Sequence, residues 1–541
     1  MKRLIALFIS MGMMLSVLAW AGCGDTPADP TTTASTTTAQ TTTAATTTAD
    51  DTTAQTTTAD TTTAESTTGA TETDATEPAD TTTGATEPEA TTAATDPATP
   101  GVDLSNFDGY SKLPGYEDID FGGRVFTLGL HDGGNEVMFY NDGTNVRDVS
   151  VRERNALVEK LYNCKIEFNI SASPASLVNA DVTGNICTID YYMTQYPSPG
   201  YATNQQNYNL YNLGINFDNP WWTKSYVDSF TVDKNGAPAL YGAFYTGCGF
   251  GSTYSLFYNI DVYNQNAVCQ QYDIYQLVRD KKWTMDIFVE MIKAVKHDAN
   301  GNSTYSYQDG DIMGWIRTGH ATHAMHAASD LRIIENVDGK LSFAPSARAN
   351  EWATVIDKAI AVYATEGSQD VSYSYIPEYV ASGKALFFSE ILGTVEGMAD
   401  MDVSVGLVPY PLYSEAQENY CNYIDNHIQD WHIPVSVADP ETVAIFAELY
   451  ACHSHYVTYP ACIEWYTVEL FGDEESAEMM ELIFNNVTFD PGYLWWSNYE
   501  TDLGNMISGG KNNVTQWAGR KGSEVQKKID DFMTGIIANP N

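Results

Sequence analysis

The chain has 541 residues, of which 70 are acidic and 27 basic, for a formal net charge of −43 at pH 7. So acidic a chain excludes charge-driven binding of nucleic acid or of an anionic surface, and it suits neutral or cationic ligands. The 34 Tyr, 11 Trp and 20 Phe supply core, and Tyr and Trp, each with an apolar face and a polar tip, also suit ligand-contacting surfaces.

In chain order, the first 23 residues read MKRLIALFISMGMMLSVLAWAGC. Lys2 and Arg3 precede an apolar run from Leu4 to Leu18, too short and too early for a membrane span, so residues 1–22 read as an export signal. Ala21 and Gly22 before Cys23 resemble the lipobox of bacterial lipoproteins, although Trp20 stands where that family usually has Leu. The resemblance implies that Cys23 carries a diacylglycerol. Two acyl chains would then hold the protein on the extracellular face of the bacterial cytoplasmic membrane.

Residues 23–116 form a linker. From Asp25 to Pro100 it is mostly Thr, Ala, Asp, Glu and Pro, without Lys or Arg. Such a tract buries too little apolar surface to offset its ordering entropy and is expected to be disordered. About 75 flexible residues span roughly 50 Å, a suitable spacer between a membrane and a folded domain.

The remainder is long enough for two lobes with their own cores. GRVFTLGL (123–130) predicts a strand, and NVRDVSVRERNALVEKLY (145–162) a helix with Val151, Leu157, Val158 and Leu161 near one face. KIEFNI (165–170) and CTIDYYM (187–193) are the next strands, an order that argues for a parallel α/β sheet. ALYGAFY (239–245) and TYSLFYN (253–259) follow as strands, then helices over 284–296 and 349–365. KALFF (384–388) and VSVGLVPY (403–410) are strands, and Asp439–Pro440 starts a helix. The end is helical over 474–484, 493–507 and 524–537.

Several of these segments, with DNPWW (218–222), WTMDIFVEMIK (283–293), HDANGNSTYSYQDGDIMGW (297–315) and DVSVGLVPYPLY (402–413), occur in an order that resembles one family. It is that of the extracellular solute-binding lipoproteins of bacterial carbohydrate ABC transporters, the group that includes maltose-binding protein. The resemblance covers nearly all of residues 118–541. It implies a two-lobed, type II periplasmic-binding-protein-like α/β fold with a ligand cleft between lobes joined by crossing hinge segments. The implied divisions are 117–248 and 403–472 for lobe I, with 249–402 and the C-terminal helices of 473–541 for lobe II. Crossings are expected near Gly247–Gly251, Val403–Gly406 and Phe471–Glu475. The implied partners are a carbohydrate ligand, read as an oligosaccharide, and the permease subunits of an ABC importer.

A sugar site pairs aromatic platforms with polar groups that fix orientation. By position in that fold the candidates are His131, Asp132 and Asn135 after the first strand, and Gln195 and Tyr196 after CTIDYYM. Tyr245, Ser252 and Tyr254 lie at the first crossing. Trp431 and His432 close DNHIQDWH, and Trp495 and Trp496 stand where relatives often stack a sugar ring. Trp221 and Trp222 read equally well as packing.

Other chemistry finds no anchor. His320, His323 and His326 sit on an arc of about 120° around a helix and do not converge on one point, so they read as partly buried or cleft-lining histidines rather than a metal set. Asp298 to Asp309 opens like a calcium loop but has Ser303 sixth and Asp309 twelfth, where such loops have Gly and Glu. No G-x-S-x-G, H-E-x-x-H, Walker A or dinucleotide motif occurs. No catalytic residue, metal or cofactor is therefore assigned, and the chain reads as a binding protein. With Cys23 lipidated, seven cysteines remain and match no zinc spacing; mostly buried free thiols are expected. The rival readings are a solute-binding protein for a peptide and a stalked glycan-binding adhesin.

Overall fold

The computed structural model describes residues 104–132, 138–246, 250–399, 401–471 and 473–541. The signal, Cys23, nearly all of the linker, Asn135 and Cys248 lie outside them, as does most of the expected crossing at 247–251.

The described chain opens with β1 (Arg124–His131), α1 (Val146–Tyr162), β2 (Cys164–Ser171) and β3 (Tyr191–Met193). Next come β4 (Tyr254–Asn259), α2 (Met285–Val295), β5 (Met313–Arg317), α3 (Ala321–Ala327) and α4 (Ala349–Tyr363). β6 (Ser368–Asp370), β7 (Ala385–Ile391), β8 (Val405–Val408) and β9 (Trp431–His432) complete the strands of the two larger sheets. The last helices are α5 (Pro440–His453), α6 (Tyr459–Tyr466), α7 (Glu474–Asn485), α8 (Asn498–Ser508) and α9 (Val514–Ala538).

Local sequence explains most of these. In α1 the Asn145 side chain caps the Asp148 amide, and Asn163 ends the helix in the left-handed region at φ 51°. Val151, Val158 and Tyr162 are buried, whereas Leu157 and Leu161 are only half-buried. Arg154 takes the remaining inward position; its guanidinium lies over the Tyr450 ring and donates to the Met138 carbonyl. In β1, Phe126, Leu128 and Leu130 alternate into the core. α2 buries Met285, Phe288, Met291, Ile292 and Val295 at helical spacing. It presses closely on β5 because Gly314 has no side chain; a Cβ there would stand 2.3 Å from the Ile292 carbonyl oxygen.

The first of the two sheets has the order β9-β3-β1-β2, with β1, β2 and β3 parallel and β9 antiparallel to β3. The second has the order β6-β5-β7-β4-β8, in which only β4 runs against its neighbours. The reversed strands are the clue to the architecture. β4 follows one passage from the first sheet to the second, and β9 follows the passage back. The two passages run side by side, pairing antiparallel at Ala243–Trp431 and Thr253–Ile424. Strands that enter from this junction run opposite to those that leave toward it, so the C-terminal ends of β1, β3, β5 and β7 all face the junction.

Three expectations change. The return crossing lies between Ile424 and Trp431, not at Val403–Gly406, because Val405–Val408 pairs with β4 inside the second sheet. ALYGAFY forms no continuous strand, since its residues are spent on the crossing, with single bridges at Ala243 and Tyr245. In the C-terminal segment, α9 packs on the second half, yet Asn539 Nδ2 donates to the Ala202 carbonyl at 2.8 Å and Lys234 Nζ to the Asn541 carbonyl at 3.2 Å. The tail therefore straps both halves.

Among the described residues the six cysteines are free, five of them buried and Cys187 exposed. No helix among them is long and apolar enough to cross a membrane.

Candidate functional site

In open α/β sheets ligands bind outside the carboxyl ends of the strands. In this chain those ends of both sheets meet at the paired crossings. The return passage is pinned to the outward one: the Asp425 amide donates to the Ser252 carbonyl at 2.9 Å, and Ser252 Oγ to the His427 carbonyl at 2.8 Å.

Around this junction the polar side chains converge. Asp425 accepts from its own crossing through the His427 amide at 3.1 Å and through His427 Nδ1. Its other oxygen faces His320 Nδ1 at 3.3 Å. Burial alone would raise this carboxyl, but the His427 hydrogen bond and the His320 and His427 rings overcome it and hold it down at about 2. The outer nitrogen of His427 meets the Tyr196 hydroxyl at 2.8 Å, so the loop after β3 touches the return crossing. Tyr196 is 40% exposed, and the His320 and His427 side chains are 46% and 33% exposed. These three form the open mouth.

Deeper in, the Tyr254 hydroxyl bonds Thr318 at 2.9 Å and the Ser389 carbonyl at 3.0 Å. Glu390, one residue before the end of β7, is buried. Burial raises its carboxyl to about 7; the charge of Asp425 adds to the effect, while the Ile391 amide and the Thr318 hydroxyl oppose it. On the other flank Tyr423 and Tyr493 pack with ring centroids 5.1 Å apart, and the Tyr493 hydroxyl accepts from the Asn426 amide at 2.8 Å. Behind them Glu500 on α8 is fully enclosed, 3.5 Å from His323 Nδ1 and 3.7 Å from His326 Nε2. Desolvation pushes the Glu500 carboxyl well up and both imidazoles well down.

The expected site residues divide three ways. Tyr196, Ser252 and Tyr254 gather at the junction; Gln195 lies half-buried beside Tyr196, and His131 and Asp132 stand at the junction-facing end of β1. Tyr245, Trp431 and His432 are buried, and His432 lines a small cavity with Asp430 and Trp495. Trp431 is fully buried against Phe139 and Tyr191, and Tyr245 is packed against Trp222. The His432 ring bonds the Tyr241 carbonyl at 2.6 Å and needs the bare Gly242 beside it, where a Cβ would stand 2.6 Å from Cε1. Trp495 and Trp496 pack on Phe532 of α9, and Trp495 also on Phe230. Trp495 also lines the small cavity that it shares with Asp430 and His432. Trp221 and Trp222 both donate to Glu448 in the core. Asn135 lies outside the described residues.

Sequence reasoning missed Asp425, His427, Glu390 and Thr318. The first two belong to the same polar octet as Trp431 and His432, and a signal exists there: polar residues that begin such a crossing face the gap, while its apolar end enters a sheet.

The 298–311 loop satisfies itself. Asp298 accepts from the Gly301 and Ser303 amides at 2.7 Å each, and Asp311 from Ala299 and Ser306 at 2.8 and 2.9 Å. Carboxylates spent on backbone amides do not converge on a cation, and no metal-ligating group of three occurs among the described residues. Millimolar calcium followed by EDTA should leave the thermal midpoint unchanged; a rise with calcium would show that the loop rearranges to bind it.

No family model and no curated protein matches the chain. Solved structures with a similar fold include an ABC substrate-binding protein from Listeria monocytogenes in complex with cycloalternan. It is 12% identical, covers 75% of this chain and 99% of that one, and has a TM-score of 0.47. A binding protein from Bacillus subtilis in an open conformation is 12% identical over 76% of this chain and 100% of that one, with a TM-score of 0.45. A cyclo/maltodextrin-binding protein complexed with maltotetraose is 10% identical over 77% of this chain and 98% of that one, with a TM-score of 0.48.

Proposed function

We propose that this chain captures an oligosaccharide in the crevice beside the paired crossings and presents it to the permease of an ABC importer. The observation that carries the reading is the junction itself. Carboxyl ends of parallel strands from two separate sheets face it, and exposed aromatic and hydrogen-bonding groups ring its mouth. Aromatic faces suit the C–H faces of a sugar ring, and the fixed Asp425–His427–Tyr196 chain suits its hydroxyls.

In this reading lobe I holds the first sheet with α1, α5 and α6, and lobe II holds the second sheet with α2, α3, α4, α7 and α8. Ligand-dependent closure would bend the crossings at a few residues, with the C-terminal strap confining the motion. Lipidation at Cys23 and the Thr-rich spacer would keep the domain outside the cell, tethered to the membrane. The protein is a binder that releases its ligand unchanged rather than an enzyme.

A thermal-unfolding screen of the full chain against neutral oligosaccharides and peptides tests this. A ligand at about 100 times its Kd adds roughly 2.7 kcal/mol of stability. Stabilisation by one glycan family without its consumption is the expected result. Peptides alone would keep the fold reading and remove the sugar, and retention on insoluble glycan without a soluble ligand would favour the adhesin. For the glycan so identified, Tyr196→Ala should weaken binding by about 10- to 100-fold, the loss of one stacked ring of about 1.5–3 kcal/mol. Titration calorimetry checks it, and an unchanged Kd would move the sugar off this mouth.

A further inference from the structure

Among the described residues Glu390 is the junction acid that faces no basic side chain; like Glu500 behind it, it holds a buried carboxylate oxygen without a hydrogen-bond partner. Glu390 is 5% exposed; Oε1 accepts the Ile391 amide at 2.8 Å, and Oε2 has no hydrogen-bond partner. The neighbouring Thr318 hydroxyl, near enough to ease the burial of the carboxyl, is itself bonded to Tyr254 at 2.9 Å. Leaving a buried carboxylate oxygen unmatched is costly, so the position asks for a donor from outside the chain. The surrounding charges decide which donor. Asp425 has His320 and His427, and Glu500 has His323 and His326. No basic side chain among the described residues stands within ion-pair distance of Glu390. The nearby guanidinium, Arg317, is committed elsewhere: it pairs with Asp370 at 3.0 Å, donates to the Tyr363 carbonyl and lies on the Trp315 and Tyr363 rings. Asp425, ionised beside Glu390, deepens the negative potential. A hydroxyl would offer Glu390 one proton and no charge, whereas an ammonium offers three N–H bonds and the missing cation.

We propose that the crevice selects a saccharide carrying a free amino group, whose ammonium sits against Glu390 while the sugar ring lies toward Tyr196. This rests on the saccharide reading above and sharpens it to a chemical class. The raised carboxyl supports it, because an adjacent ammonium stabilises the ionised form. Affinity for an amino sugar should therefore grow as pH rises through about 7 and Glu390 loses its proton, as long as the ligand amine stays charged.

The test is titration calorimetry of the full chain at low salt with three glycans of equal length. They are the glucosamine tetramer, its N-acetylated neutral counterpart and cellotetraose, with tetralysine as a non-sugar cation. The glucosamine tetramer is expected to bind at least about tenfold more tightly than either neutral glycan, and 0.5 M salt should erode that margin. Glu390→Gln should bring the ratio of charged to neutral affinities close to one. Should that variant unfold, the pH dependence between 6 and 8 of the wild-type ratio for a 6-amino-6-deoxycellotetraose over cellotetraose, a ligand whose primary amine stays charged throughout, reads the same carboxylate. Equal or tighter binding of the neutral glycans overturns the charge assignment and leaves the saccharide reading standing. Binding of tetralysine alone overturns both, as does the absence of any binding.

Discussion

Trp431→Ala is expected to destabilise the protein by about 3–5 kcal/mol, read as a lower urea midpoint at an unchanged m-value. The indole is fully buried, with ring centroids 4.9 Å from Phe139 and 4.5 Å from Tyr191, on the strand residue that pairs with Met193. Removing it empties the space directly under the return crossing, where neighbours from two strands and a loop cannot all collapse. Tyr196→Ala, at the exposed mouth, should shift stability by no more than about 0.5 kcal/mol. The pair separates packing from binding. Normal stability in Trp431→Ala together with lost ligand binding would return Trp431 to the ligand surface.

The second large effect belongs to Glu448 on α5. Its carboxylate accepts from Trp221 Nε1 at 3.0 Å, Trp222 Nε1 at 3.1 Å and the Asn219 amide, so one buried acid organises the whole DNPWW turn. Glu448→Ala strands three buried donors, and at about 1–3 kcal/mol each the loss should be at least about 3 kcal/mol. A pH signature accompanies it. Burial raises the carboxyl from 4.5 to about 7, so the folded protein holds this proton more tightly than the unfolded chain does. Its contribution is complete below pH 4.5 and is lost as pH climbs through 7, a decline of about 3 kcal/mol. Glu448→Gln should flatten that decline between pH 5 and 8, while turning an amide NH2 toward one of the donors. An unaltered pH slope in Glu448→Gln would place the titrating group elsewhere.

Local elements were legible because their signals are local. Asn145 and Asn163 bracket α1, Pro440 starts α5, and the alternation of Phe126, Leu128 and Leu130 marks a buried strand. Helix α2 follows from its apolar spacing alone. What the pattern of VSVGLVPY could not say is which sheet it joins. An apolar run looks the same beside β4 as beside β3, and only the pairing of Gly406 with Tyr258 assigns it. That misplacement moved the return crossing some twenty residues too early, and the site moved with it.

Aromatic residues show the same limit. Trp495 and Trp496 look like a sugar platform by composition and position, yet both are half-buried and pack on Phe532, Trp495 also on Phe230. In DNHIQDWH the large indole belongs to the core, while Asp425 and His427 at its polar start lie at the junction of the crossings. An indole is equally suited to a core and to a ligand, so its sequence carries no vote between them. A polar cluster votes more clearly, but its members, exposed at 196 and 320 and buried at 390, 425 and 500, are joined by no local pattern.

By itself, then, the sequence determined the alternation of strands and helices, the acidic surface and the two-part α/β class, because propensity, capping and periodicity act within a few residues. The tertiary structure alone decided where the chain crosses, which rings are core and which carboxylate lacks a partner. Those are properties of distant segments brought together, and each is set by what the other segment already satisfies.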